Sequence, residues 1–278
     1  MIDIKNVIFN LKQLKKYPNF ATEQDYSNFC MNYIFCAQLI KLQKNAQVNV
    51  RKHDFNTLLS LMSWVFHNTK HNGLRSGAVS KMCTDYLLDN FEQGRGLTCL
   101  MIAVIMQEIC MSYGYFCHII QTKSSNPYYL NSHWVVQVYI PNYKWVMLDP
   151  TYNIYCMCED IPLSILDIRS MLIKNKPYLI VNNGNRDKIS ENEYRILQME
   201  TYFQFDVFKI NTYNTFFQER QMRINISPEG FDGKEYRSAR YKEEENIFEK
   251  KELVILQEQN AIIHYTHNID FLYMDPCL

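Results

Sequence analysis

The sequence predicts an α+β protein. Helical periodicity fills roughly the first ninety residues, one helix that is apolar on nearly every side follows, and short runs rich in β-branched and aromatic residues come after it. A hydrophobic share of 47% and a charged share of 21% fit a chain that folds around its own core. At 278 residues it is long enough to bury a large one.

The elements follow in order. Thr22 is placed to cap a helix whose apolar residues run through Phe29, Tyr33, Phe35 and Leu39 to about Lys44. Asp54 caps a second, with Leu58, Leu59, Leu61, Met62, Val65 and Phe66 on its buried side. Ser76 caps a third, carrying Val79, Met82, Cys83, Tyr86 and Leu87 at helical spacing. Gln93-Gly94-Arg95-Gly96 breaks the pattern, and Leu97–Tyr113 resumes it. Cys99–Met111 is apolar all round, the mark of a central, fully buried helix, and Gly114 stops it.

The period then changes. Tyr115–Gln121, His133–Ile140 and Lys144–Leu148 read as strands of an antiparallel sheet, the last two joined by a hairpin turn at Pro141-Asn142-Tyr143. Ser164 with Asp167, and Ser190 with Glu193, have the spacing of capping boxes that open two more helices. Further strands are expected around Met222–Ile226, Leu253–Gln257 and Ala261–Thr266, with Lys242–Lys251 as a solvated excursion. The division expected is an N-terminal helical region over 1–75, a core over 76–160, and C-terminal helices and strands over 161–278 packed on that core.

Charge and cysteine usage narrow the function. Lys plus Arg and Asp plus Glu are 29 each, so no net field favours nucleic acid or an anionic membrane. The nine cysteines are an odd number, and Cys30, Cys36, Cys83, Cys110 and Cys117 sit in apolar runs, as reduced core thiols do. The longest apolar run, Leu97–Met106, falls well short of the roughly 20 residues of a membrane span. The start lacks a secretory pattern, so a cytoplasmic, soluble protein is expected.

Three residues stand where acyl-transfer chemistry needs them. Cys99 opens the buried helix, where the helix dipole and unpaired N–H groups favour thiolate and can hold an oxyanion. His133 opens one hairpin strand and Asp149 closes the next. Reflection through the turn at about residue 142 sets Asp149 opposite residue 135, two places from His133. A carboxylate there can orient the imidazole while its other nitrogen faces the thiolate. Trp145 and Pro150 flank the acid and are placed to shield it.

Gly96-Leu97-Thr98-Cys99, Ser132-His133-Trp134-Val135-Val136-Gln137-Val138-Tyr139 and Lys144-Trp145-Val146-Met147-Leu148-Asp149-Pro150-Thr151 resemble the transglutaminase-like superfamily. Trp-x-x-x-Asp-Pro-Thr after a His-led strand is the most specific part. The resemblance is closest to a bacterial subgroup. It extends to Ser63-Trp64-Val65, His71-Asn72-Gly73, Leu163–Pro177, Ser227-Pro228-Glu229-Gly230-Phe231 and Thr266-His267-Asn268. It implies a papain-like core, no cofactor, and Cys99, His133 and Asp149 as nucleophile, base and orienting acid. Where many relatives carry His-Ala-Trp-x-Glu-Val, this chain has His133-Trp134-Val135-Val136-Gln137, so the substrate-side lining differs. Gln93, six residues before Cys99, stands at the separation of a papain-type oxyanion glutamine. It reads equally well as a polar residue at a helix end.

Other constellations carry less. Singly, Cys99 is a core thiol, His133 a strand histidine and Asp149 a turn starter; their joint placement is the signal. His67 and His71 are four apart, but no Glu adjoins His67 and His71 precedes Asn-Gly, so a structural role is preferred to a metal one. Cys156-x-Cys158 lacks the gap of a zinc or redox motif, and His264 and His267 fall on opposite strand faces. The reading is a cofactor-independent thiol enzyme acting on a peptide or protein amide bond, hydrolysis being favoured because no second-substrate site is visible. The alternatives are a non-catalytic protein- or peptide-binding module and a metalloprotein.

Overall fold

A computed structural model describes residues 36–48, 54–72, 81–93, 96–129, 131–184, 189–209, 222–228, 230–247 and 262–266. The proposed helix cap at Thr22, the cap at Ser76, the strand at Leu253–Gln257 and His267 lie outside these residues. The class is α+β, as expected. Among the described residues, seven helices surround one sheet.

Helices α1 (Ala37–Ala46), α2 (Phe55–His67), α3 (Thr84–Glu92) and α4 (Cys99–Ser112) come first. Asp54 caps α2 as expected, its carboxylate accepting from the Asn56 N–H, while Leu59 is only half-buried. The expected third helix differs. Met82 and Cys83 precede it, and α3 starts at Thr84, whose N–H and hydroxyl both donate to the buried Glu108 carboxylate at 2.7 Å. A cap supplied from another helix fixes that start, and local spacing does not show it.

Strands β1 (Cys117–Lys123), β2 (Ser132–Ile140) and β3 (Lys144–Asp149) form an antiparallel meander, with the hairpin turn where the sequence placed it. β4 (Ile154–Cys158) extends it and pairs with both β5 (Ile161–Pro162) and β6 (Leu179–Asn182). α5 (Ile165–Lys174) and α6 (Glu191–Thr201) open on the two capping boxes. β7 (Gln204–Lys209) pairs with the far side of β1, β8 (Met222–Ile226) with β7, and β9 (Ile262–Thr266) with β8. The last pair is parallel and the rest are antiparallel. α7 (Gly233–Ile247) runs into the charged stretch that was expected to be an excursion.

The sheet is covered on both faces, which explains why its strands read as near-continuous apolar runs. Ile119, Val136, Val138, Val146 and Leu148 join α1 to α4 in one core. Their neighbours Ile120, Val135 and Met147 join α5 and α6 in another. Every α4 residue from Leu100 to Ser112 is buried, and the helix packs on β1 and β2. Cys99, at its tip, is half-buried.

Candidate active site

The position of Cys99 is set by backbone chemistry on both sides. Thr98 is extended (φ −76°, ψ 163°), and its hydroxyl accepts from the Met101 N–H at 3.3 Å. This cap ends the approach and starts α4, leaving the first-turn N–H groups beside the thiol without helical acceptors. Upstream, Leu97 forms a parallel bridge with His71. The Leu97 N–H donates to Lys70 O at 3.0 Å, and the Asn72 N–H donates to Leu97 O at 2.9 Å. Gly96 permits this approach, since a Cβ there would stand 1.9 Å from Asn72 Cβ.

β2 and β3 bring the other two residues together. Their register pairs Val136 with Leu148, so the strand ends carrying His133 and Asp149 coincide, as the reflection predicted. His133 Nε2 donates to Asp149 Oδ2 at 2.6 Å. The same oxygen accepts the Tyr194 hydroxyl at 2.9 Å, and Oδ1 accepts the Thr151 N–H at 3.0 Å. The carboxylate is fully buried, so these charge-assisted bonds act where water does not compete. With Nε2 committed, the remaining His133 nitrogen is the one that meets Cys99, to which the ring is hydrogen-bonded. Tyr152 lies along the imidazole, ring centres 5.4 Å apart at 34°.

The electrostatics favour an ion pair. Burial pushes the Cys99 thiol up, but hydrogen bonds and charge from His133 and His71 outweigh it and bring it down to about 6. Burial likewise pushes His133 down, but the Asp149 charge and hydrogen bond, with help from Cys99, raise it to about 10. Between those values the thiol is a thiolate and the imidazole an imidazolium.

Sequence reasoning missed two residues of this site. His71 was assigned a structural role, yet it helps bring the Cys99 thiol down and its ring lies 6.4 Å from that of Tyr152. The one signal was its place in the quoted His71-Asn72-Gly73 segment. Tyr194 had no signal beyond lying on a well-capped helix. Trp145, expected to flank the acid, lies against His118 with ring centres 4.5 Å apart at 35° and meets Tyr139 edge-on at 5.4 Å. Gln93 ends α3 with an exposed side chain, and among the described residues no hydrogen bond joins it to Cys99. His67 Nδ1 meets Ser63 O at 2.7 Å, on a helix that ends before His71. Cys156 is buried on β4 and its thiol is pushed up by burial to about 12. Among the described residues no His, Cys, Asp and Glu grouping suits a metal ion, and no helix is long and apolar enough to cross a membrane.

Residues 43–150 match the family model of the transglutaminase-like superfamily. No curated protein matches the chain. A solved structure described as "a Putative Cysteine Protease from Cytophaga hutchinsonii" is similar at 16% identity and a TM-score of 0.31. That similarity covers 50% of this chain and 47% of the other, so the chain spans about half the length of that protein.

Proposed function

We propose that the protein is a cofactor-independent thiol hydrolase that cleaves amide bonds of a peptide or protein through an acyl-enzyme on Cys99. The observation that carries this reading is the hydrogen-bonded line from the half-buried Cys99 through His133 to the buried Asp149. The superfamily match over the residues that hold all three supports it.

In this mechanism a thiolate lone pair forms the C–S bond, and the carbonyl π pair moves to oxygen. Collapse restores the carbonyl and breaks the C–N bond, and the leaving nitrogen takes a proton from the His133 nitrogen that faced the thiol. The neutral imidazole then draws a proton from water, whose oxygen attacks the thioester and releases acid and thiolate. Asp149 keeps Nε2 protonated and offsets the imidazolium charge throughout. Water is preferred to an amine as acceptor because it is always present.

The test uses p-nitrophenyl acetate as an acyl donor. The wild type should release one equivalent of nitrophenolate in a burst, with the acetyl group mapped to Cys99, and turn over without added amine. Cys99→Ala should lose the burst and keep its melting temperature, and His133→Ala should be nearly as damaged. A burst that survives Cys99→Ala, or acetyl spread over the other cysteines, refutes the assignment. Turnover that appears only when a primary amine is added refutes hydrolysis and favours transfer.

A further inference from the structure

Two imidazoles act on Cys99: that of His133, and that of His71, whose ring lies 6.4 Å from the same Tyr152 ring that lies 5.4 Å from His133. His133 is bound to a buried carboxylate and is accounted for by proton transfer. His71 comes from outside the meander and is locked in place by the bridge to Leu97, two residues before the nucleophile. Gly96 makes this possible by letting the Asn72 side chain occupy the space of a Cβ. Two backbone hydrogen bonds and a residue without a side chain thus hold His71 against the start of α4. His71 is half-buried.

A thiolate that attacks a carbonyl gives up its negative charge as the carbonyl oxygen acquires it. Donors aimed at that oxygen contribute only if they are in place beforehand. The first-turn N–H groups of α4 are one such source. A side-chain N–H held beside the sulfur is another, because the new oxyanion forms only two bonds away from that atom. Gln93, which the resemblance offered for this task, is exposed at the end of α3 and makes no hydrogen bond to Cys99 among the described residues.

We propose that His71 is a further catalytic residue: in the resting protein its imidazole holds the Cys99 thiolate from a second direction, and on attack its N–H passes to the oxyanion of the tetrahedral intermediate. This rests on the thiol-enzyme reading and deepens it by naming the side-chain donor.

The test compares two reactions of one thiol. Alkylation by iodoacetamide displaces iodide at a saturated carbon and generates no oxyanion, so it reports thiolate and access. Acylation by p-nitrophenyl acetate forms the C–S bond, places the carbonyl pair on oxygen, and on collapse expels nitrophenolate with the C–O pair. Both are second-order reactions of one thiol, measured on variants whose melting curves show them folded, so their ratio cancels any change in thiolate fraction or access. In His71→Ala the acylation-to-alkylation ratio should fall by about 10²-fold, the loss expected for one such donor. His71→Gln, which keeps an N–H donor, should recover part of it. A ratio within about threefold of wild type in both variants overturns the proposal, since the imidazole would then act on the thiolate alone. If wild-type Cys99 is not acylated at all, the thiol-enzyme reading fails and this proposal falls with it. If the wild type is acylated and the ratio holds, only the His71 assignment fails.

Discussion

Selective alkylation of Cys99 follows directly from its surroundings, and its size can be worked out. At pH 6 a thiol of pKa about 6 is half ionised. An ordinary thiol near 8.5 is then only about 0.3% ionised, a ratio of about 160 in thiolate. The more acidic thiolate is intrinsically the weaker nucleophile. Applying the slope known for thiol–disulfide exchange takes back about 10- to 18-fold. Cys99 should therefore react with iodoacetamide roughly tenfold faster than an ordinary thiol of equal access at pH 6. Cys36 and Cys158 are half-buried like Cys99 and serve as internal references. The sign follows from the shifts: thiolate appears as pH rises through about 6, and the imidazolium partner is lost as pH rises through about 10. The advantage should therefore shrink above pH 8, where ordinary thiols ionise, and fall at pH 6 in His133→Ala, which leaves only His71 to lower the thiol. Quenched time points with peptide mapping give all three rates in one experiment. Equal rates at Cys99, Cys36 and Cys158 at pH 6, or a Cys99 rate untouched by His133→Ala, would falsify the ion-pair argument.

Other perturbations test the supports of the site. Tyr194→Phe removes one of three hydrogen bonds to the Asp149 carboxylate and should cost about 1.5–3 kcal/mol in chemical denaturation, with a fall in kcat and little change in KM. Asp149→Asn should lower the acylation rate by about 10²–10⁴ while the fold stands, because the shape is kept and the charge and tautomer control are lost. Gly96→Ala forces its Cβ against Asn72 Cβ and should cost about 1–3 kcal/mol, with a loss of acylation as His71 is displaced. Asp206 is buried beside Lys123 (2.8 Å), Arg237 (3.3 Å) and Arg223 (3.6 Å). Burial alone would raise its carboxyl, but these cations hold it well below the usual range. Its contribution is therefore present above the ordinary aspartate value of about 4 and should be lost as pH falls below it, seen as a dropping melting temperature that Asp206→Asn removes.

What was legible in the sequence was what is local. The hairpin register, and with it the meeting of His133 and Asp149, follows from one turn and a period of two. The capping boxes at Ser164 and Ser190 are three-residue signals, and both are present. The Cys99 helix announces itself by composition alone. What was hidden depends on groups distant in the chain. α3 starts at Thr84 because Glu108 supplies its cap, and His71 reaches Cys99 through a bridge to Leu97. Asp149 takes a hydroxyl from Tyr194, 45 residues on. β4 to β6 were missed because two of them are four residues or fewer and take their meaning from pairing.

The covering of the sheet on both faces bears on the order in which the molecule assembles. α4 and the hairpin that carries His133 and Asp149 lie within Cys99–Asp149, a stretch of mostly neighbouring contacts that closes quickly. Their second face, with Val135 and Met147, is sealed only when α5 and α6 dock, and β1 gains its other neighbour only with Phe208 and Val207. Asp149 waits for Tyr194 over the same interval. The contacts that support the Asp149 carboxylate and complete the sheet thus close over longer stretches of chain than those that join α4 to the hairpin.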